Sequence, residues 1–311
     1  MPAENANCRR GLREYIRFVL SGFCMGCADI VPGVSGGTMA FILGIYEELI
    51  YSLRAFGRAQ FIQALMTFRI AKIWKEMNLS FLFSVGAGIL IAILTLARGI
   101  GFALETYPTY VWSIFFGLVL ASVFIVGKRI AKWNMPLFAA LAAGIISAYI
   151  IVGLVPVQTP ETWWFLILSG AIAICAMILP GVSGSFLLVL LGKYEFILRA
   201  VNERDVGSLF FFVIGIGVGI VGFTQVLGWL LRRHHDVTMA LLTGLMLGSL
   251  RRIWPWKASL NGPELLQENM MPTFIENGGL RQETVILIAL MVFGVVIIVL
   301  LERLANKKEA R

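Results

Sequence analysis

Two short runs, Gly33-Val34-Ser35-Gly36-Gly37-Thr38 and Gly181-Val182-Ser183-Gly184-Ser185, combine residue types that can bind an anion. Glycine lets a ligand approach the backbone, and serine and threonine add hydroxyl donors. Pro32 and Pro180 fix the turn entering each run. A helix starting near 36–38 or 184–186 has first N–H groups without intrahelical partners, and its dipole adds roughly half a positive charge. Such a nest suits phosphate or carboxylate. The pattern GxxxxGK[ST] is missing from both runs, so ATP hydrolysis is not expected. A plainer reading stays open, in which two helix breaks only cap each other.

Charged residues flank the runs. Asp29 lies three residues before Pro32, and Met177 stands in the matching place before Pro180. Glu47 and Glu195 match each other, each roughly 16 Å beyond its run if the chain is helical at ~1.5 Å per residue. These three acids are the candidates for proton or sodium coupling, Asp29 foremost, because a carboxylate beside a bound anion needs a proton or cation partner, while Glu47 and Glu195 read equally as snorkelling ends at the interface. Arg251, Arg252 and Lys257 could collect an anionic headgroup or simply anchor in lipid headgroups. Cys24 and Cys27 form a CxxC with no second ligand pair, which reads as packing. His234 and His235 follow two arginines and read as solvated. No constellation for catalysis, metal binding or a cofactor is found, so an enzyme such as a membrane phosphatase is the weaker class.

The elements that carry these runs are membranous. Hydrophobic residues make up 59% of the 311-residue chain and charged ones 14%, with a mean hydropathy of +0.85. Soluble domains are closer to half apolar and a quarter charged. Charge-free stretches at 81–97, 110–127, 136–154, 209–231 and 284–301 approach the ~20 residues a span needs. The net charge of +8 gathers in loops, as orientation signals do, so nucleic acid is not an expected partner.

The chain also repeats. CADIVPGVSGGTMAFILGIYEELI (27–50) aligns without a gap to CAMILPGVSGSFLLVLLGKYEFIL (175–198), 148 positions on. SVGAG (84–88) resembles VIGIG (213–217), and FGLVLAS (116–122) resembles TGLMLGS (243–249). Two halves follow. The first, 1–154, holds a hairpin over 12–52, with limbs near 12–30 and 37–52, an amphipathic interfacial segment over 54–77, and three spans. The second, 155–311, holds a hairpin over 163–200, spans near 208–231, 237–250 and 283–302, and an outer loop over 251–282. The hairpin limbs are short for spanning, so re-entrant hairpins are expected, although full crossing stays open. Each half then crosses an odd number of times. The fold class is therefore an all-α polytopic membrane protein with an inverted-topology repeat. Basic loops place both termini in the cytoplasm, with Arg251, Arg252 and Lys257 as an exception on the outer side.

The doubled motif ADIVPGVSGGTMAFILGIYEELI and LPGVSGSFLLVLLGKYEFIL resembles the PopT family of bacterial polyprenyl-phosphate transporters, over roughly 12–303. The resemblance implies flipping of undecaprenyl phosphate from the outer to the inner leaflet of the bacterial plasma membrane, recycling the carrier lipid for cell wall biogenesis. By that reading both runs line the headgroup path, and the lipid, membrane lipids and H+ or Na+ are the partners. A homo-oligomer is left open. The alternative is a secondary transporter of a small soluble anion using the same helix N-termini.

Overall fold

The computed structural model describes residues 11–31, 34–58, 78–130, 132–257, 269–272, 275–276, 279–280 and 282–309. Twelve α-helices run through them: α1 (Leu12–Ile30), α2 (Gly36–Ile42), α3 (Tyr46–Arg54), α4 (Leu79–Thr106), α5 (Pro108–Arg129) and α6 (Met135–Val152). The second half supplies α7 (Trp163–Ile178), α8 (Gly184–Leu190), α9 (Tyr194–Glu203), α10 (Val206–Arg233), α11 (His235–Ser249) and α12 (Gln282–Glu309). Two short strands, Ile275–Glu276 and Gly279–Leu280, pair antiparallel before α12, a small departure from an all-helical chain. The interfacial segment expected over 54–77 lies outside the described residues from 59 onward, and its first residues complete α3 and a 3-10 turn.

Five helices, α4, α5, α6, α10 and α12, are long and apolar enough to cross a membrane, and they coincide with the five charge-free stretches. Their ends carry local stop and start signals. Asn134 caps α6 by accepting from Leu137 N at 3.2 Å, Asp205 caps α10 by accepting from Ser208 N at 3.1 Å, and Pro108 opens α5 where its missing N–H costs nothing. Large apolar side chains such as Phe83, Leu94, Phe210 and Val218 stay exposed on the outer faces, as lipid contact requires. The helix over the expected span at 237–250, α11, has only 15 residues and is mostly buried from Thr238 onward.

The hairpin limbs differ from expectation. Each second limb is two helices, broken at Gly44 (φ +72°) and at Gly192 (φ +63°). The recurring Leu-Gly-x-Tyr of the two halves is this break, because a left-handed residue ending a helix favours glycine.

Glycines bring the helices into pairs, and the pairs repeat. In the α1–α4 crossing, Gly22 lies on the Val85 carbonyl and Gly88 on that of Val19. In the α7–α10 crossing, Gly170 lies on the Phe212 carbonyl and Gly215 on that of Ile167. Gly244 of α11 meets Leu141 of α6, as Gly117 of α5 meets Met291 of α12. Small residues permit this backbone approach. Gly88 thus matches Gly215, 127 positions on, which corrects by two residues the register read from SVGAG and VIGIG. The offset falls from 148 to 127 because the first half has a longer segment between α3 and α4.

Contacts sort the helix ends into two groups. At one, Phe18 of α1 packs on Phe81 of α4, Asn78 Nδ2 donates to Glu48 Oε1, and Arg54 Nε donates to Gln225 Oε1 at 2.7 Å. At the other, Trp163 of α7 packs near Phe211 of α10, and Arg251 Nη1 donates to the Tyr149 carbonyl. We call these the near and the far end.

Candidate functional site at the hairpin tips

The residues joining α1 to α2 and α7 to α8 meet each other. Asp29, on the last turn of α1, accepts from Gly36 N at 2.7 Å through Oδ1. A Cβ at position 36 would strike that carboxylate, so glycine is what admits it. Ser35 caps α2 by accepting from Gly37 N at 3.1 Å. The same hydroxyl lies 3.3 Å from the Met177 carbonyl and 3.2 Å from that of Leu179. With one proton, it donates to one of them at a time. In return, Gly181 N donates to Thr38 Oγ1 at 2.8 Å. Ser35 and Thr38 are each 1% exposed. The first tip therefore carries its own anion, and both tips grip one another.

The second tip is less satisfied. Among the described residues, the Ser183 and Ser185 hydroxyls bond only each other, at 2.9 Å. Among the described residues, no acceptor is found for the N–H groups of Gly184, Ser185 and Phe186. Gly181 (φ +87°) tucks its backbone against Leu245 and Met246 of α11. The Arg252 guanidinium sits over the Phe186 ring, 5.2 Å from its centroid. A helical side chain leans toward its own N-terminus, so Arg252 places a cation beside the start of α8. Val34 and Val182 point into the core and offer only backbone. Gly33 and Pro32 lie outside the described residues.

Other expected residues lie elsewhere. Arg251 stacks on Tyr149 at 4.1 Å, and Lys257 Nζ lies over Trp112 at 3.8 Å. Each of these two far-end cations thus rests on an aromatic face, a weak attraction. Glu47 reaches no tip: its Oε1 lies 3.0 Å from His235 Nε2, and His235 Nδ1 lies 3.2 Å from Asp236 Oδ1. His235 is exposed, as the solvated reading expects, and it is also paired. Partial burial pushes its pKa down, but hydrogen bonds and charge from Glu47 and Asp236 outweigh this, and the net shift is upward. Glu195 is exposed, so the two matched acids share no site.

Sequence reasoning passed over Lys193. It is 1% exposed, donates from Nζ to the Thr159 carbonyl at 2.6 Å, and has the rings of Phe165 and Phe196 at 5.7 Å. The signal was a lysine aligned with Ile45, between a matched Gly and a matched Tyr.

Residues 25–269 match the family model described as undecaprenyl phosphate translocase-like. The chain is 41% identical over 303 residues to a polyprenyl-phosphate transporter of Vibrio cholerae serotype O1, covering 94% of this chain and 98% of that protein. It is 28% identical over 256 residues to a polyprenyl-phosphate transporter of Staphylococcus aureus, covering 76% and 85%. No solved structure matches it. The five apolar spans mark a multi-pass membrane protein, and with the match across most of its length the chain belongs to the undecaprenyl phosphate translocase-like family.

Proposed function

We propose that this protein flips undecaprenyl phosphate from the outer to the inner leaflet of the bacterial plasma membrane, with both termini cytoplasmic. The two halves are read as an inverted repeat whose re-entrant hairpins open at opposite ends, the first at the near, cytoplasmic end and the second at the far, outer end. Their tips then meet near mid-depth, where transporters of this architecture bind substrate.

The observation that carries the reading is the inequality of the two tips. Asp29 fills the start of α2, whereas the start of α8 has N–H groups with no acceptor among the described residues, two hydroxyls and Arg252 on the ring of Phe186. A phosphate monoester with about −1.5 to −2 charges meets donors and a cation at the second tip and a carboxylate at the first. The headgroup site is therefore Gly181 to Ser185 with Arg252, and the first tip, Val34 to Thr38, holds it in place through Ser35 and Thr38. Arg251 and Lys257 receive the headgroup from the outer leaflet. The polyprenyl tail stays in lipid.

Asp29 is the coupling residue. A proton or sodium ion on its carboxylate releases Gly36 N and loosens the first tip. Equal pH and sodium dependence of flipping in wild type and Asp29→Asn would exclude this role.

The test is exchange of labelled polyprenyl phosphate between leaflets of liposomes. Wild type should accelerate it, and Arg252→Ala and Ser183→Ala should slow it more than Glu195→Gln. Equal rates with and without protein would refute the assignment, and exchange of a soluble phosphate ester instead would make this a soluble-anion carrier.

A further inference from the structure

The two halves are not in the same arrangement. At the near end, α3 lies along α10 of the other half. Arg54 Nε donates to Gln225 Oε1 at 2.7 Å, and Gln225 Nε2 donates back to the Arg54 carbonyl at 2.9 Å. The arginine stem rests on Gly228, where a Cβ would strike its Cδ. Tyr46 and Ile50 of α3 are 2% and 0% exposed.

The counterpart contact at the far end is unmade. By the two offsets, α9 matches α3 and α4 matches α10. Arg54 becomes Asn202, Gln225 becomes Arg98, and Gly228 becomes Gly101. Each pair thus holds one arginine and one amide, exchanged between the partner helices. Yet α4 and α9 are not among the helix pairs in substantial contact. Gly101 has nothing within 4 Å of the place where a Cβ would stand. Tyr194 and Leu198, the matches of Tyr46 and Ile50, are 44% and 52% exposed. No partner is found for Arg98 or Asn202 among the described residues.

We infer that Arg54–Gln225 and Asn202–Arg98 are the two alternating clamps of the transport cycle, the first closed and the second open in this structure. This rests on the flipping reading with opposed repeats. When the near clamp parts, α3 leaves α10, α9 settles into the Gly101 cradle, and Arg98 donates to the carbonyl or side-chain oxygen of Asn202. The apolar face of α9 is covered by α4 as that of α3 is now covered by α10. Two copies of one sequence motif, folded into one chain, supply both conformations, and their exchange moves access to the tips from one end to the other.

Cysteine pairs in a background without native cysteines test this in membranes. Arg54→Cys with Gly228→Cys reports the near contact, and Asn202→Cys with Gly101→Cys the far one, read as oxidative cross-linking yield. Both pairs should link in separate proteins. Because Arg54→Cys itself removes one clamp partner, the far pair is also read in two further backgrounds. Gln225→Leu should raise its yield, and Arg98→Leu should lower it, each by at least about fivefold, the lower bound of ordinary allosteric couplings. A far pair that never links in protein that flips lipid overturns the inference and leaves the flipping assignment intact. A far pair whose yield is the same in both leucine backgrounds also overturns it. Linking that shifts as stated in protein that flips no lipid sustains the clamps and removes the flipping assignment.

Discussion

Thr38→Val removes one acceptor and almost no volume, so it isolates the grip between the tips. Thr38 Oγ1 accepts from Gly181 N at 2.8 Å, and both residues are buried, so no water reaches the freed N–H. Two magnitudes compete. A buried donor left without a partner costs about 1–3 kcal/mol, whereas hydrogen bonds within membrane proteins average about 0.6 kcal/mol because the unfolded state finds partners too. The first applies when the site cannot relax. Gly181 is held at φ +87° between Thr38 and the Leu245–Met246 backbone of α11, so its N–H has nowhere else to turn. The expected loss is about 1–2 kcal/mol for valine. Serine keeps the acceptor and loses one methyl group, about 0.8 kcal/mol when fully buried. Apolar burial alone predicts the reverse order, with valine neutral and serine worse. Unfolding free energies of both variants, measured in detergent or bicelles, separate these outcomes. Valine as stable as wild type would refute the grip.

Gly88→Ala and Gly215→Ala should each destabilise by about 1–3 kcal/mol, the usual cost of overpacking, because a Cβ at either would meet a backbone carbonyl. Gly86→Ala and Gly217→Ala, which face open space, should be neutral in the same thermal unfolding series. The His235 pKa is raised, so stability from its pairing is fully present below the ordinary histidine value of about 6.5 and is lost as pH rises through the raised one. Wild type should lose stability over that window, and Glu47→Gln should lose less. The effect is small, since both side chains are nearly half exposed. Lys193→Met keeps the stem between Phe165 and Phe196 but frees the Thr159 carbonyl. Amide exchange over 155–162 should accelerate while α7 stays protected.

The spans were legible because they are written in composition, and the recurring motif because it is written in identity, neither of which needs tertiary knowledge. Five charge-free stretches became five long helices, and the Pro-Gly-Val-Ser-Gly pairs became the two tips. The break at Gly44 and Gly192 was missed, although Leu-Gly-x-Tyr recurs, because glycine in an apolar run also reads as helix packing. The register of α4 against α10 was misjudged because glycines recur every second residue there, and only the carbonyl each one touches tells them apart. Pairings across the halves were out of reach. Glu47 with His235, Arg54 with Gln225 and Ser35 with the Met177 carbonyl are each separated by more than 100 residues, and no periodicity links them.

The sequence left open whether the two tips hold a phosphate or only each other. On the proposed reading these alternatives are parts of one arrangement. Ser35 and Thr38 are spent on the opposite tip, and Asp29 on Gly36, so the first tip has little left to offer a ligand. The same bonds fix the second tip from below, through Gly181 and the carbonyls of Met177 and Leu179, without touching the N–H groups of Gly184 to Phe186. A duplicated motif with Asp29 in one copy and Met177 in the other thus yields one brace and one open nest. Replacing Met177 with aspartate should give the second tip its own carboxylate. On the proposed reading, Met177→Asp abolishes flipping by occupying the nest, while Met177→Asn, of similar size but neutral, retains more of it. Equal loss in both would show that position 177 matters only for packing, and that the nest is not where the phosphate sits.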